Sequence, residues 1–358
     1  MRPLDASAPR RILLRATNWV GDAVMTLPAL EALHTNCPQA EIEVLARPWV
    51  AAVYAAAPGV SRVIAYDKAG AHAGLAGGWR LAGELRARRY DWAVLLQNAL
   101  EAALIAWLAR IPVRLGYATD GRGLLLTHAA ARSAQVRRVH ETAYYLYILR
   151  QAGLLAQDPP DTGVQPVLHL APADAAWAQD FLARKGLDQA RLLGLAPGAA
   201  YGPAKRWPAE RFAAAAQDLA PEFQAVLLFG SQGEATDCAA VADGLAGLPT
   251  VNLAGATSLG QALALLARLG LLISNDSGLM HAAAALGAPT VAVFGSTNPR
   301  TTAPLGPWVA LLRAELECSP CLEPECQRGD LACFTAIEPA DVAAAARQLL
   351  ARKDQESK

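Results

Sequence analysis

Neither G-x-G-x-x-G nor G-x-x-x-x-G-K-[ST] occurs in this chain, so it lacks the glycine turns that seat a dinucleotide pyrophosphate or a P-loop triphosphate. Net charge is also missing: 32 Lys+Arg are balanced by 32 Asp+Glu. No basic stripe interleaved with aromatics marks a nucleic-acid surface, and no such partner is expected. Residues 1–15 hold arginines and only the short apolar run Ile12 to Leu14, which is not the h-region of a secretory signal. The mature chain is therefore expected in the cytoplasm. The uncharged stretch Ser277 to Pro299 is cut by Gly287, Pro289 and Gly295 into pieces too short to span a bilayer.

What is present is 358 residues, 53% hydrophobic and 18% charged, with much of the apolar share alanine, a helix-rich composition long enough for two domains. Charge divides unevenly. Residues 1–170 carry 18 Lys+Arg against 13 Asp+Glu (+5), leaving 14 against 19 (−5) for 171–358. The first half is thus the better surface for anions, such as phosphates or an anionic membrane.

Apolar runs of strand length alternate with helical stretches. The spacing predicts strands at Ile12–Arg15, Glu41–Ala46, Arg62–Tyr66 and Trp92–Leu96, a strand and turn at Arg114–Tyr117, and helices at 23–34, 50–57, 79–89, 99–109 and 140–152. After Asp158-Pro-Pro-Asp-Thr-Gly163, the clearest linker signal, the pattern restarts with a helix at 173–185. Strands follow at Leu192–Ala196, Ala225–Phe229, Thr250–Leu253, Leu271–Ile273 and Thr290–Phe294. Strand–helix alternation of this kind builds a parallel, doubly covered sheet. The reading is α/β, with two Rossmann-like domains, 1–170 and 171–358, facing one another across a cleft. The last helix, 339–352, is expected to pack back on the first domain.

Polar residues gather in the strand-to-helix turns, where open α/β sheets take ligands. Leu271-Leu-Ile-Ser-Asn-Asp-Ser-Gly278 runs from a buried strand into a helix closed by Gly287 and Pro289. As residue types, Asn275 to Gly278 make an ordinary N-cap, but the same turn points backbone N–H groups and a helix dipole at an anion. A carboxylate repels phosphate, so Asp276 fits sugar hydroxyls beside it. The segment Pro197-Gly198 to Lys205-Arg-Trp-Pro208 adds small residues for close approach and a lysine for phosphate. Phe229-Gly230-Ser-Gln-Gly-Glu234 is a third such turn. In the first half, Asp22 follows Thr-Asn-Trp-Val-Gly21 after the first strand. Its residue type allows either a helix cap or a catalytic carboxylate. No Asp-x-Asp pair lies beside these turns to hold Mg²⁺, so no metal is expected in the chemistry.

Asn18-Trp-Val-Gly-Asp-Ala-Val-Met-Thr-Leu-Pro-Ala-Leu30, Gly198 to Pro208, and Asn275-Asp-Ser-Gly-Leu-Met-His281 resemble the ADP-heptose:lipopolysaccharide heptosyltransferases, most closely those of type II. The resemblance implies a GT-B glycosyltransferase fold, an ADP-heptose donor held by the second domain and a lipid-linked heptosyl-Kdo-lipid A acceptor held by the first. It further implies inverting, metal-independent transfer with no cofactor, by an enzyme peripheral on the inner face of the inner membrane. Carried over by position, Asp22 with Gly21 supplies the general base, and Lys205 holds the donor phosphates. Asp276 faces the donor sugar, and the Ser277 and Gly278 amides receive a phosphate. Gly198 and Gly230 line the donor, while either Gln232 or Glu234 meets the ribose. Another inner-core heptosyltransferase, a GT-B nucleotide-sugar epimerase and a non-catalytic nucleotide-binding assembly protein remain the alternatives.

One motif stands outside this scheme. Cys318-x2-Cys321-x4-Cys326-x6-Cys333 gathers four of six cysteines. Structural zinc wants four thiolates, but this spacing is no standard finger, so zinc and reduced thiols both stay open.

Overall fold

A computed structural model describes residues 3–187, 191–245 and 247–356. They divide into two compact units, one up to His169 and one from Leu170 onward. Unit 1 contains β1 (Arg11–Arg15), α1 (Val20–Met25), α2 (Leu27–Asn36), β2 (Glu41–Ala46), α3 (Ala51–Tyr54), β3 (Val60–Ala65), α4 (Gly74–Ala87), β4 (Trp92–Leu95), α5 (Leu100–Leu108), β5 (Val113–Tyr117), β6 (His128–Ala130) and α6 (Glu141–Gln151). Its sheet is parallel, ordered β3-β2-β1-β4-β5-β6.

Unit 2 contains α7 (Pro172–Lys185), β7 (Leu192–Ala196), α8 (Ala209–Leu219), β8 (Ala225–Leu228), α9 (Ala235–Asp243), β9 (Thr250–Asn252), α10 (Leu259–Leu266), β10 (Leu271–Asn275), α11 (Gly278–Ala285), β11 (Thr290–Phe294), α12 (Pro299–Thr302), β12 (Val309–Arg313), α13 (Ala332–Thr335) and α14 (Pro339–Glu356). Its parallel sheet runs β12-β11-β10-β7-β8-β9.

The central strands β7, β10 and β11 are buried at every residue, as expected of a parallel sheet covered on both faces. On one face of unit 2, Phe212, Ala216 and Leu219 of α8 and Val342, Ala346 and Leu349 of α14 close a core over the strands. Their helical spacing presents one apolar stripe per helix. The last helix thus packs on α8, β11 and β12 of its own unit. Each sheet reverses its strand order beside its first strand, at β1/β4 and at β7/β10, which opens a crevice at the carboxyl ends.

The predicted helix 23–34 is two helices, α1 and α2. Pro28 lacks an N–H and its ring opposes the carbonyl one turn back. Thr26 occupies the break, donating its hydroxyl to the Ala23 carbonyl at 2.7 Å, with the Tyr54 hydroxyl 2.8 Å away. Strands β6 and β12 were not foreseen. Both lie at sheet edges and are only partly buried; β6 is the short His128-Ala-Ala130, whereas β12 carries the apolar run Val309-Ala-Leu-Leu312. Among the described residues no helix is long and apolar enough to cross a membrane.

Candidate active site

In unit 2, the neighbouring strands β8, β7 and β10 empty at one edge into the turns at Gly230, Pro197-Gly198 and Asn275 to Gly278. Asn275 locks two of these together. Its buried amide donates to the Pro197 carbonyl at 2.6 Å and its oxygen accepts from the Trp207 N–H at 2.9 Å. That bond fixes the segment leading from Lys205 into α8. Lys205, on the 3-10 turn Pro203–Lys205, places its ammonium 2.7 Å from Asp276 Oδ2, and Thr297 donates to the same oxygen at 2.5 Å. Asp276 Oδ1 has no side-chain partner among the described residues. An ammonium has three protons, so a bond to Asp276 leaves two for a phosphate.

Ser277 caps α11 without a side-chain bond to its amides. Its hydroxyl instead lies 3.1 Å from that of Ser274. The first N–H groups of α11 therefore remain available to an anion. Gly198 and Gly230 are close-approach positions. A Cβ on Gly198 would lie 2.3 Å from Glu234 Oε1, and one on Gly230 would lie 2.9 Å from Cys238 Sγ. The other Glu234 oxygen accepts from the Ser231 amide and hydroxyl, both at 2.8 Å. Gln232 lies against Gly255 instead, so of the two ribose candidates Glu234 is the one beside the Gly198 turn. Six of the sequence-predicted residues, Lys205, Asp276, Ser277, Gly278, Gly198 and Gly230, share this edge.

Gly21 and Asp22 occupy the first turn of α1, just beyond β1 in unit 1. No side chain caps this helix, and the carboxylate benefits from the dipole. Helix α6 packs against α1 and brings a residue that the sequence did not single out. Burial, then the charge of Asp22, push Glu141 up to about 7. Burial and Asp22 also raise the Tyr145 hydroxyl well above its ordinary value. Proximity of two carboxylates shifts one toward the neutral form, a common feature of acid–base sites. Glu141 stood out of reach of sequence because its surroundings depend on how α6 docks, whereas Thr297 carried only the signal of lying in a strand-end loop.

All six cysteines are free, and Cys318, Cys321, Cys326 and Cys333 border one cavity with Ser296 and Ala204. Among the described residues no group of three or more His, Cys, Asp or Glu is arranged to hold a metal ion. The tract is nonetheless tied to the loops around Lys205 and Ser296. The Leu322 amide donates to the Ser296 carbonyl at 2.7 Å, the Tyr201 hydroxyl to the Leu322 carbonyl at 2.9 Å, and the Ala204 amide to the Pro324 carbonyl at 3.0 Å.

Two Rossmann-like units, each with polar groups collected at the carboxyl edge of its sheet, define the α/β class of GT-B glycosyltransferases. Residues 78–332 match the model of glycosyltransferase family 9 (heptosyltransferase), and the chain belongs to that family. It is 35% identical over 316 residues to lipopolysaccharide heptosyltransferase 2 of Escherichia coli, covering 85% of this chain and 88% of that protein. Lipooligosaccharide heptosyltransferase 2 of Haemophilus influenzae is 33% identical over 310 residues, covering 84% and 88%. Among solved structures, E. coli ADP-heptose heptosyltransferase II superposes with a TM-score of 0.78 at 29% identity, covering 96% of this chain and 99% of that one. A glycosyl transferase family 9 protein from Veillonella parvula gives 0.83 at 25%, covering 98% of both. The chain is a glycosyltransferase.

Proposed function

We propose that this enzyme transfers heptose from ADP-L-glycero-D-manno-heptose to the heptosyl-Kdo-lipid A inner core of lipopolysaccharide, with inversion and without a metal. The observation that carries the reading is the identity with the E. coli type 2 enzyme along 85% of this chain and 88% of the relative. The presence of Asp22, Lys205 and Asp276 together supports activity over a binding role alone.

In this mechanism the acceptor hydroxyl attacks the anomeric carbon of the donor. Its O–H proton passes to Asp22, the new C–O bond forms, and the bond to ADP breaks on the opposite face. A sugar hydroxyl is a poor nucleophile at neutral pH, so a positioned carboxylate contributes about 10²–10⁴-fold. The charge arriving on ADP is met by Lys205 and the amides of Ser277 and Gly278. Asp276 Oδ1 orients the donor sugar, Gly21 admits the acceptor next to the base, and Gly198 and Gly230 let the backbone approach the nucleotide.

The acceptor is lipid-linked, so the enzyme works as a cytoplasmic protein peripheral on the inner face of the inner membrane. Exposed Leu75, Trp79, Leu104, Trp107 and Leu124 on α4, α5 and the turn after β5 support contact with a lipid surface. Incubating the purified chain with ADP-heptose, with and without heptosyl-Kdo-lipid A, separates the readings. A heptosylated lipid with matching ADP release is expected. Free sugar made without acceptor would mean an epimerase, and nucleotide binding without either product would mean a non-catalytic protein.

A further inference from the structure

Among the described residues, two arginines at the carboxyl edge of the unit 1 sheet are buried without a salt bridge of their own. Arg15 ends β1 and Arg47 follows β2, its parallel neighbour, and they are 3% and 9% exposed. Both guanidinium groups lie over one ring, that of Tyr66, at 5.4 and 4.5 Å from its centroid. Among the described residues neither arginine forms a salt bridge, and the Nε of each is buried without a partner. The carboxylate in their neighbourhood, Glu101, already accepts from the Tyr66 hydroxyl at 2.7 Å and pairs with Lys68 at 2.9 Å. Glu101 and Lys68 are solvent-exposed in part, so the two buried guanidinium groups are left short of negative charge, which is costly unless an anion completes the site.

The two arginines differ in how they are held. Arg15 is fastened, donating to the Ala16 carbonyl, to the Leu45 carbonyl at 3.4 Å and to Asn18 Oδ1 at 3.0 Å. Arg47 has one long bond, 3.5 Å to the Tyr66 carbonyl, and otherwise lies between the faces of Tyr66 and the exposed Trp49. Trp49 in turn donates to the Asn18 carbonyl at 2.8 Å, in the turn that leads to Asp22. The 3-10 turn Pro48–Val50 directly after Arg47 packs against α1, which carries Asp22.

We propose that Arg47, backed by Arg15 and rimmed by Trp49, is a subsite for an anionic group of the acceptor, a carboxylate or a phosphate monoester. This rests on the transferase reading above. The guanidinium fork matches either oxyanion in bidentate fashion, which an ammonium does not. Holding the acceptor's charge beside α1 sets its hydroxyl within reach of the helix that bears the base.

Acceptor saturation with wild type, Arg47→Gln and Arg47→Lys tests this, alongside ADP calorimetry. Arg47→Gln should raise acceptor KM about 10–100-fold, the loss of one or two charge-assisted bonds, with ADP affinity unchanged and partial recovery in Arg47→Lys. Acceptors with methyl-esterified sugar carboxylates, or with phosphates removed, distinguish the two sources. One of these modifications should reproduce the loss in wild type and add nothing in Arg47→Gln. Acceptor KM unchanged in Arg47→Gln, or both modified acceptors used normally by wild type, would overturn the subsite.

A second arm needs no turnover, so a failure of the transferase reading shows separately. With saturating ADP present, a monosaccharide 2-keto acid or inorganic phosphate should raise the melting temperature of wild type more than that of Arg47→Gln. Equal shifts, or none, would also overturn it.

Discussion

Lys205 Nζ and Asp276 Oδ2 stand 2.7 Å apart, with the two side chains 15% and 7% exposed. Removing one member of such a pair leaves the other buried and uncompensated, typically at a cost of about 3 kcal/mol. Lys205→Ala should therefore lower thermal stability and also raise donor KM at least tenfold, while acceptor KM changes little. Adding Asp276→Asn should restore part of the stability without restoring the donor. Denaturation and donor-saturation curves on the three variants separate the ion pair from phosphate binding, and an unchanged donor KM in Lys205→Ala removes the lysine from the phosphate role.

Asp22→Asn keeps shape and abolishes basicity. Turnover should drop by two or more orders of magnitude, about the size expected of a positioned base, and ADP binding should stay close to wild type because the residues proposed to hold the donor belong to unit 2 and Asp22 to unit 1. Calorimetry with ADP and a turnover assay measure the two effects. Near-normal turnover would leave Asp22 with an orienting role only.

The strand-end turns of unit 2 were legible because their signals are local. Gly198, Gly230 and Asn275 to Gly278 each follow a short apolar run, and a strand ending in small polar residues names its own turn. What stayed hidden depends on pairs far apart in sequence. Asn275 reads as a cap, yet its side chain bolts β10 to residues 78 and 68 positions away. Lys205 and Asp276 were assigned separate tasks, and nothing in their spacing announces that they touch. Arg15 and Arg47 look like surface charges until β1 and β2 pair and bury them. Strand β6 escaped because His128-Ala-Ala130 is too short to carry a periodic signal.

Glu141, held near 7 by burial and by Asp22, gives a signed pH dependence. Its folded value lies above that of the unfolded chain, so between about pH 4.5 and 7 the folded state binds the extra proton. Its contribution is therefore favourable at low pH and lost as pH rises through about 7. Glu141→Gln should flatten this decline and be more stable than wild type at pH 8, by up to about 2 kcal/mol. Melting curves from pH 5 to 8 check it. A variant that follows the wild-type decline throughout would show that Glu141 titrates in the ordinary carboxylate range.

The final prediction concerns metal and the cysteine tract together. The groups proposed to face the donor are an ammonium and helix-start amides, and of the carboxylates beside them Asp276 is bound through Oδ2 by Lys205 and Thr297 and Glu234 through one oxygen by Ser231. A Mg²⁺ bridging the phosphates wants free carboxylates at about 2.1 Å, so transfer should survive excess EDTA in a short assay. The cysteine tract touches the Lys205 segment by another route. Leu322 and Pro324 accept hydrogen bonds from Tyr201 and Ala204, so this loop braces the segment that presents Lys205. Alkylating the exposed Cys318 and Cys321 should displace the brace and raise donor KM several-fold, leaving acceptor KM near its original value. Activity lost at once on chelation and restored by Mg²⁺ or Mn²⁺ would overturn the lysine-and-amide account. Equal changes in both KM values after alkylation would mean that the tract does not act through the Lys205 segment.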